Sequence, residues 1–273
     1  MKLTVLCDDR TETPRCAAEH GLSIWIESGD MRVLFDTGQG KALASNAEAL
    51  GVDLSRADAV VLSHGHYDHA DGAAVVAQYN EHAPLYAHPA VTIRRYSRRS
   101  SASHHQIGMS SAATAALRAR EVTWTTEPTR VGEGLLVTGP VPRLSQIEAP
   151  EHRLCLDSRC HVVDPLVDDQ SLLIETARGL VLVLGCTHSG VINTLRYAAR
   201  LTGCERFAAV VGGMHLNAVS ASRMAATMAA LENYGIGIVA PCHCTGEHAI
   251  RALHERFAER FVRTGVGTVF SFE

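Results

Sequence analysis

The segment SHGHYDHADG, residues 63–72, begins where the apolar run ADAVVL ends and holds three histidines and two aspartates. An apolar run that ends in a polar cluster is typical of a buried strand that leads into a functional site. His64 and His66 are two residues apart, so in an extended segment they face the same side. Asp68 and His69 follow after a turn. The spacing therefore predicts two metal ions, one facing His64 and His66 and the other facing Asp68 and His69.

The donor types in this segment favour particular metals. Imidazole and carboxylate groups suit Zn²⁺, and they also suit Mn²⁺ or Fe²⁺. A polar loop with an incidental histidine would explain one such residue. It does not explain three histidines and an aspartate directly after a buried strand. We therefore expect two divalent cations as cofactors, with zinc favoured and manganese or iron as alternatives.

Composition limits the class of protein. The 273 residues are 46% hydrophobic and 20% charged, which is typical of a globular chain that can bury a core. The formal net charge of -4 offers no basic field for nucleic acid or an anionic membrane. No apolar run approaches the roughly 20 residues that a bilayer span requires. We expect a cytoplasmic protein that acts on a small molecule, and the sequence leaves its oligomeric state open.

The cysteines do not follow a disulfide framework. The chain has eight of them, and several lie beside histidines, such as Cys186 near His188. The N-terminal segment MKLTVLCDDR lacks the apolar stretch and cleavage site of a secretion signal. We therefore expect the thiols to be reduced.

The pattern of strands and helices repeats along the chain. The runs KLTVLCD, GLSIWIES and MRVLFDTG predict short strands, and KALASNAEALG predicts a helix that ends at Gly51. The second half repeats this order, with QSLLIETARGLVLVLGC predicting two strands and INTLRYAARLTG a helix. The pattern predicts an α/β fold with two packed sheets and helices outside. His64, His188, His215 and His243 each follow an apolar strand, where layered α/β folds usually build their sites.

Several motifs resemble one known family. The H-x-H-x-D-H pattern of residues 64–69 is the signature of the metallo-β-lactamase superfamily. FDTG, GCTHSGVIN, GGMHL and HCTG occur in the order seen in the branch of 7,8-dihydropterin-6-ylmethyl-4-(β-D-ribofuranosyl)aminobenzene-5'-phosphate synthase. AEHGLS, DDQSLLIE and GVGTVFSF are also similar to that branch. The resemblance implies a single domain over residues 1–273, built as an αββα four-layer sandwich with two central mixed sheets. We expect a polar insertion within this domain, around residues 89–165.

The resemblance assigns most of the metal ligands. His64 and His66 match ligands of the first metal, and Asp68 and His69 match ligands of the second. His243, in HCTG, matches the histidine that completes the second site. Asp68 also matches the residue that orients the nucleophile, so it is a candidate catalytic residue.

Two ligand positions depart from the family pattern. Many relatives have a Gly-Asp that bridges the metals where this chain has Gly-Cys, so Cys186 is either a thiolate ligand or a buried apolar residue. Relatives also carry a histidine where this chain reads VDDQS. Asp168 or Asp169 could replace it with an oxygen ligand. His188 is the favoured alternative, as a metal ligand or as a substrate contact.

Three further sets of residues complete the predicted site. His215 follows paired glycines and is predicted to bind substrate or to stabilise charge. Asp36, in FDTG, is predicted to hold a ligating histidine through its other ring nitrogen. The basic run of the polar segment is either a phosphate-binding element or a solvated loop. Its residues are Arg94, Arg95, Arg98 and Arg99.

The predicted chemistry is that of a dinuclear metal-dependent hydrolase or transferase. Two cations can activate a water molecule near neutral pH, or they can neutralise a leaving diphosphate. The branch resemblance implies condensation of a dihydropterin diphosphate with an aryl ribosyl phosphate, hence a phosphorylated substrate. Hydrolysis of a phosphodiester or a lactone is the alternative reaction. A binding protein for a metal or small ligand, built on the same scaffold, is the alternative without catalysis.

Overall fold

Residues 1–100 and 103–273 are described by the computed structural model of the protein. The strands, in chain order, are β1 (Lys2–Cys7), β2 (Ser23–Ser28), β3 (Met31–Phe35), β4 (Ala59–Val61), β5 (Leu85–Ala87), β6 (Tyr96–Ser100), β7 (Ser103–Gln106), β8 (Val122–Trp124), β9 (Thr129–Gly132), β10 (Leu135–Val137), β11 (Leu154–Cys155), β12 (Ser171–Thr176), β13 (Gly179–Leu184), β14 (Phe207–Gly213), β15 (Ile238–Cys242) and β16 (Val269–Ser271). The helices are α1 (Leu43–Ala49), α2 (Tyr67–Ala70), α3 (Ala73–Tyr79), α4 (Ser111–Arg118), α5 (Val191–Thr202), α6 (Ala221–Asn233) and α7 (Glu247–Phe257).

Two large mixed sheets form the centre of the fold. The first has the order β16-β1-β2-β3-β4-β5-β8, antiparallel from β16 to β3 and parallel from β3 to β8. The second has the order β15-β14-β13-β12-β10-β9, with β13, β14 and β15 parallel. A third, small sheet has the order β11-β6-β7. Because β13, β14 and β15 are parallel, their carboxyl ends lie at the same edge of the second sheet.

Alternation along the strands defines four layers. In β2, Ile24 and Ile26 belong to the apolar cluster shared by both sheets, whereas Trp25 packs with residues of α1, α3 and α4. In β13, Val181 joins the shared cluster and Leu182 packs with residues of α5, α6 and α7. Successive side chains of a strand point to opposite faces, so each sheet is covered on both sides. The predicted αββα sandwich is confirmed.

The segment around residues 89–165 is only in part an insertion. It contributes β8 to the first sheet and both β9 and β10 to the second. The small sheet and α4 also lie within it. The strands β8, β9 and β10 are only three or four residues long, which is too short for a clear strand pattern in the sequence.

Arg95 fits neither of the two alternatives for the basic run, a phosphate-binding element or a solvated loop. Its guanidinium is buried and lies 2.8 Å from Asp164 Oδ2 and 2.6 Å from Asp168 Oδ1. A Cβ at Gly65, inside the H-x-H motif, would collide with the backbone oxygen of Val91 and with this guanidinium. Arg95 therefore packs against the H-x-H loop and supports its position.

The other arginines of the run have different surroundings. Arg94 and Arg98 are exposed, and Arg98 Nη2 donates to the carbonyl oxygen of Cys160 at 2.6 Å. The side chain of Arg99 lies outside the described part of the chain. A phosphate-binding role for Arg94, Arg98 and Arg99 stays a prediction.

The prediction that all thiols are reduced is wrong for one pair. Cys155 and Cys160 form a disulfide. The carboxylate of Asp157 accepts the backbone N–H groups of Arg159, His161 and Val162, and this turns the chain back on itself. The turn brings the two cysteines together. None of the helices in residues 1–100 and 103–273 combines the length and apolarity needed to cross a membrane.

Candidate metal centre

The predicted ligands meet at one edge of the sandwich. His64 follows β4 of the first sheet, while Cys186, His188 and His243 follow β13 and β15 of the second. His69 lies on α2, directly after the H-x-H loop. All of these side chains are buried. The fold therefore brings together residues that are separated by up to 179 positions along the chain.

Three histidines form the first cluster. Nδ1 of His66 lies 2.9 Å from Nε2 of His64 and 3.2 Å from Nε2 of His188. Burial lowers the pKa of all three rings, to about 3 for His66 and well below the usual value for the other two. The rings are therefore neutral at pH 7, which is the form that binds a metal.

The second cluster contains both nitrogen and oxygen donors. Nε2 of His69 lies 3.1 Å from Nε2 of His243, which lies 3.4 Å from Oδ2 of Asp68. Burial alone would raise the pKa of Asp68, but hydrogen bonds with neighbouring histidines hold it well below its usual value. Asp68 is therefore an anionic oxygen donor beside the two imidazoles.

Cys186 lies between the two clusters. Its Sγ is 3.1 Å from Nε2 of His69, and a group of mutually close donor atoms contains Cys186, His64 and His69. This is the position expected of a bridging residue. Burial raises the pKa of the Cys186 thiol well above its usual value, and the adjacent Cys244 raises it further. Ligation as a thiolate therefore requires the positive charge of bound cations.

Hydrogen bonds at the far ring nitrogens orient several of these histidines. Nδ1 of His69 lies 2.7 Å from Oδ2 of Asp36, as predicted from the FDTG motif. Nδ1 of His64 lies 2.9 Å from the hydroxyl of Ser63, which donates to Asp36. Such contacts fix the tautomer and angle of a ligating ring. Among the described residues, the buried Nε2 of His66 and Nδ1 of His188 have no hydrogen-bond partner, so no such contact orients those two rings from the far nitrogen.

Asp168 and Asp169, the alternative ligands of the first cluster, are both engaged in other hydrogen bonds. The carboxylate of Asp168 accepts hydrogen bonds from Arg95 and from the backbone N–H of Gly65. Asp169 accepts the backbone N–H groups of His188 and Ser189. Both carboxylates therefore hold the loops in place, and the ring of His188 occupies the position beside His64 and His66.

His215 lies next to the first cluster. Its ring centroid is 4.4 Å from that of His188, and its Nε2 is 2.5 Å from Oε1 of Glu151. Glu151 also accepts a hydrogen bond from Nε of Arg153 at 2.6 Å. Burial lowers the pKa of His215, but hydrogen bonds with Cys244 and Glu151 outweigh it and raise the pKa to about 9. Glu151 and Arg153 were not predicted, because no motif marks them.

Strained backbone is concentrated in the loops of this site. Asp36, Thr187, His215 and His243 all have φ between 45° and 58°, in the left-handed region that non-glycine residues seldom adopt. Each such residue costs about 1–3 kcal/mol, which is usual where the surrounding structure fixes a functional loop. These four of the eight described non-glycine residues with positive φ fall in the motifs FDTG, GCTHSG, GGMHL and HCTG.

Two further residues border the second cluster and were not predicted. His20, in AEHGLS, has its Nε2 3.3 Å from Oδ2 of Asp68. Asp9 lies 2.6 Å from Nδ1 of His243 through one carboxylate oxygen. The AEHGLS motif was the only sequence signal for His20. Asp9 carried no signal apart from its position after β1.

The spacing of the donors fits bound metal ions. Ligands at the roughly 2.0–2.1 Å bond lengths of tetrahedral zinc are separated by about 3.4 Å. The distances within the two clusters run from 2.9 to 3.4 Å. Imidazoles, one carboxylate and one thiol are also the donor types that zinc prefers. The residues present therefore suit two adjacent divalent cations.

The fold and these motifs define the class of protein. A family model described as the metallo-beta-lactamase superfamily matches residues 17–180. The chain belongs to this superfamily.

Three relatives place the chain within the superfamily. It is 27% identical to 7,8-dihydropterin-6-methyl-4-(beta-D-ribofuranosyl)-aminobenzene-5'-phosphate synthase of Methanocaldococcus jannaschii, over 93% of this chain and 90% of that protein. It is 31% identical to an uncharacterized protein of the same organism, over 96% of both chains. The crystal structure of Tm1679, a metal-dependent hydrolase of the beta-lactamase superfamily, matches with a TM-score of 0.85 and 29% identity, covering 99% of this chain and 98% of that one.

Proposed function

We propose that the chain is an enzyme that binds two divalent metal ions and transforms a small phosphorylated molecule. The observation that carries the proposal is the pair of donor clusters that meet at Cys186. The first metal would be held by His64, His66 and His188, and the second by Asp68, His69 and His243, with Cys186 between them. Zinc is the proposed metal, because thiol and imidazole donors favour it over harder cations.

The metals would supply Lewis acidity and a nucleophile near neutral pH when bound. The protein residues then determine how the substrate is held. Asp68 points into the second cluster and can orient the attacking group. His188 and His215 line the other side, where their adjacent rings, tilted by 51°, would restrict how a substrate can approach. These three residues are the proposed catalytic set.

The residues beside His215 support a phosphorylated substrate. Nη2 of Arg153 lies 3.4 Å from Nε2 of His215, and half of the Arg153 side chain is exposed. An arginine at the rim of a site can pair with two phosphate oxygens at once. The name of the synthase relative also describes a phosphate-bearing product. Both observations favour a phosphate ester or diphosphate over a lactone.

Hydrolysis and group transfer differ in their need for an acceptor. The synthase name of one relative favours transfer, whereas the description of Tm1679 favours hydrolysis. The decisive experiment incubates metal-loaded protein with a dihydropterin diphosphate, with and without an aryl ribosyl phosphate. Pyrophosphate release that strictly requires the acceptor, together with a coupled pterin product, identifies a transferase. Release without the acceptor identifies a hydrolase.

A broader substrate panel tests the proposal as a whole. Phosphomonoesters, phosphodiesters and lactones should be assayed with the same preparation, after its metal content is measured. Turnover of any phosphate ester supports the proposal, and turnover of lactones alone contradicts the proposed substrate class. A protein with two metals per chain and no turnover of any compound is a binding protein, and the proposal of an enzyme then fails.

A further inference from the structure

His20 lies at the mouth of the second cluster. Its side chain is 53% exposed, whereas that of His243 is fully buried. The two rings face each other with centroids 5.0 Å apart. His20 is therefore the member of this group of histidines that solvent reaches most easily.

Asp9 holds both rings in the same way. One of its carboxylate oxygens lies 2.6 Å from Nδ1 of His243, and the other lies 2.9 Å from Nδ1 of His20. A carboxylate on the far ring nitrogen is the usual support of a metal-binding histidine. Because Asp9 occupies both Nδ1 atoms, each ring has only its Nε2 atom available for another contact.

Both free nitrogens converge on the same oxygen. Oδ2 of Asp68 lies 3.3 Å from Nε2 of His20 and 3.4 Å from Nε2 of His243. These distances are close to the separation of about 3.4 Å between ligands of one tetrahedral cation. His20 thus has the same relation to Asp68 and Asp9 as His243, which the superfamily pattern assigns as a ligand.

The charges of the group are consistent with a cation at this point. Asp9 and Asp68 bring two carboxylates to His20 and His243. Two carboxylates close to two imidazoles favour positive charge, and a divalent cation would supply it. In its contacts with Asp9 and Asp68 and in the negative charge around it, His20 therefore resembles His243.

We propose that His20 is an additional ligand of the second metal ion and that Asp9 orients it together with His243. The proposal rests on the two-metal function proposed above. It gives the second metal the donors His20, Asp68, His69 and His243, with Cys186 shared between the metals. Because His20 is half exposed, its bond is the one that an incoming substrate can displace with the least change in the protein.

The test measures metal binding without reference to activity. Wild-type protein and His20→Ala are stripped with a chelator and titrated with Zn²⁺ alone. We expect wild type to bind two equivalents and His20→Ala to keep the first site unchanged, while its second site weakens at least tenfold. His82→Ala is the matched control, because that histidine is 90% exposed and its ion pair is with Glu81. It should titrate like wild type.

A second variant and a spectroscopic readout keep the test decisive. Asp9→Asn should weaken the second site about 10–100-fold, as is usual when the support of a ligating histidine is removed. In Co²⁺-loaded protein, His20→Ala should change the intensity of the visible absorption bands of the second equivalent. If wild type binds two metals and His20→Ala binds both with unchanged affinity and spectrum, this inference is overturned and the proposed function stands. If wild type binds fewer than two metals, both fail.

Discussion

Arg95 and Asp168 form a buried ion pair in which Nη2 lies 2.6 Å from Oδ1, and the other oxygen of Asp168 accepts the N–H of Gly65 at 2.8 Å. The polar segment after the first half of the chain is thereby joined to the H-x-H loop. Asp164 completes the arrangement at 2.8 Å from Nε of Arg95. The ion pair therefore stabilises the fold, and through Asp168 it also holds the H-x-H loop that carries His64 and His66.

Removing the guanidinium should destabilise the whole protein. Arg95→Ala leaves the buried carboxylates of Asp164 and Asp168 without their cationic partner, and such losses cost about 3–5 kcal/mol. The free energy of unfolding, measured in urea, should fall by that amount. Arg94→Ala is the control, because its side chain is exposed and its removal should change stability by less than about 0.5 kcal/mol. Equal stability of the two variants would show that the buried ion pair is not needed for folding.

Removing the negative charge of Asp36, which contacts Nδ1 of His69, should weaken metal binding without removing a ligand. Asp36→Asn keeps the size of the side chain but replaces the charged acceptor at Nδ1 of His69 with a neutral amide. Loss of such a support typically costs 10–100-fold in metal affinity. Zinc titration should show this loss for the second site. Asp53→Asn, a change at an exposed helix cap, should leave the titration unaltered.

Removing a ligand of the first cluster should abolish both metal binding at that cluster and activity. His66→Ala removes the donor atom that contacts both His64 and His188. Metal content after purification without chelator should fall by at least one equivalent, and turnover should fall with it. His161→Ala provides the control, because that ring is 73% exposed. Full metal content in the His66 variant would refute its assignment as a ligand.

Replacing the sulfur of Cys186 should weaken both metals and leave the fold intact. Cys186→Ser keeps a small side chain between the clusters, but its hydroxyl is a harder and less readily ionised donor. We expect lower zinc affinity, an unchanged far-UV circular dichroism spectrum and a lower preference for zinc over manganese. Cys16→Ser, outside the site, should behave like wild type. Wild-type affinity in the Cys186 variant would show that the thiol only fills space.

The sequence predicted those parts of the molecule that local pattern controls. The apolar runs of β2, β3 and β13 predicted buried strands, because successive apolar side chains need apolar neighbours on both faces of a sheet. The clustered histidines of residues 64–69 marked the site, and FDTG correctly placed Asp36 beside a ligating ring. These features depend on residues close together in the chain.

Features that depend on distant partners were not predicted. Arg95 reads as part of a solvated basic run, because its partners Asp164 and Asp168 lie 69 and 73 residues further on. Asp9 and His20 meet His243 only after the first and second sheets have packed. The Cys155–Cys160 disulfide depends on the turn around Asp157, which no cysteine spacing reveals.

The donors of the centre come from both sheets of the sandwich, so bound metal ions would join two halves of the chain. An unfolded chain does not hold His64 and His188 close together, so the first metal would bind almost only to the native state. By mass action, a metal concentration 100 times the dissociation constant adds about 2.7 kcal/mol to native-state stability. Metal supply in the cell would thus govern how long each molecule survives, as well as how fast it works.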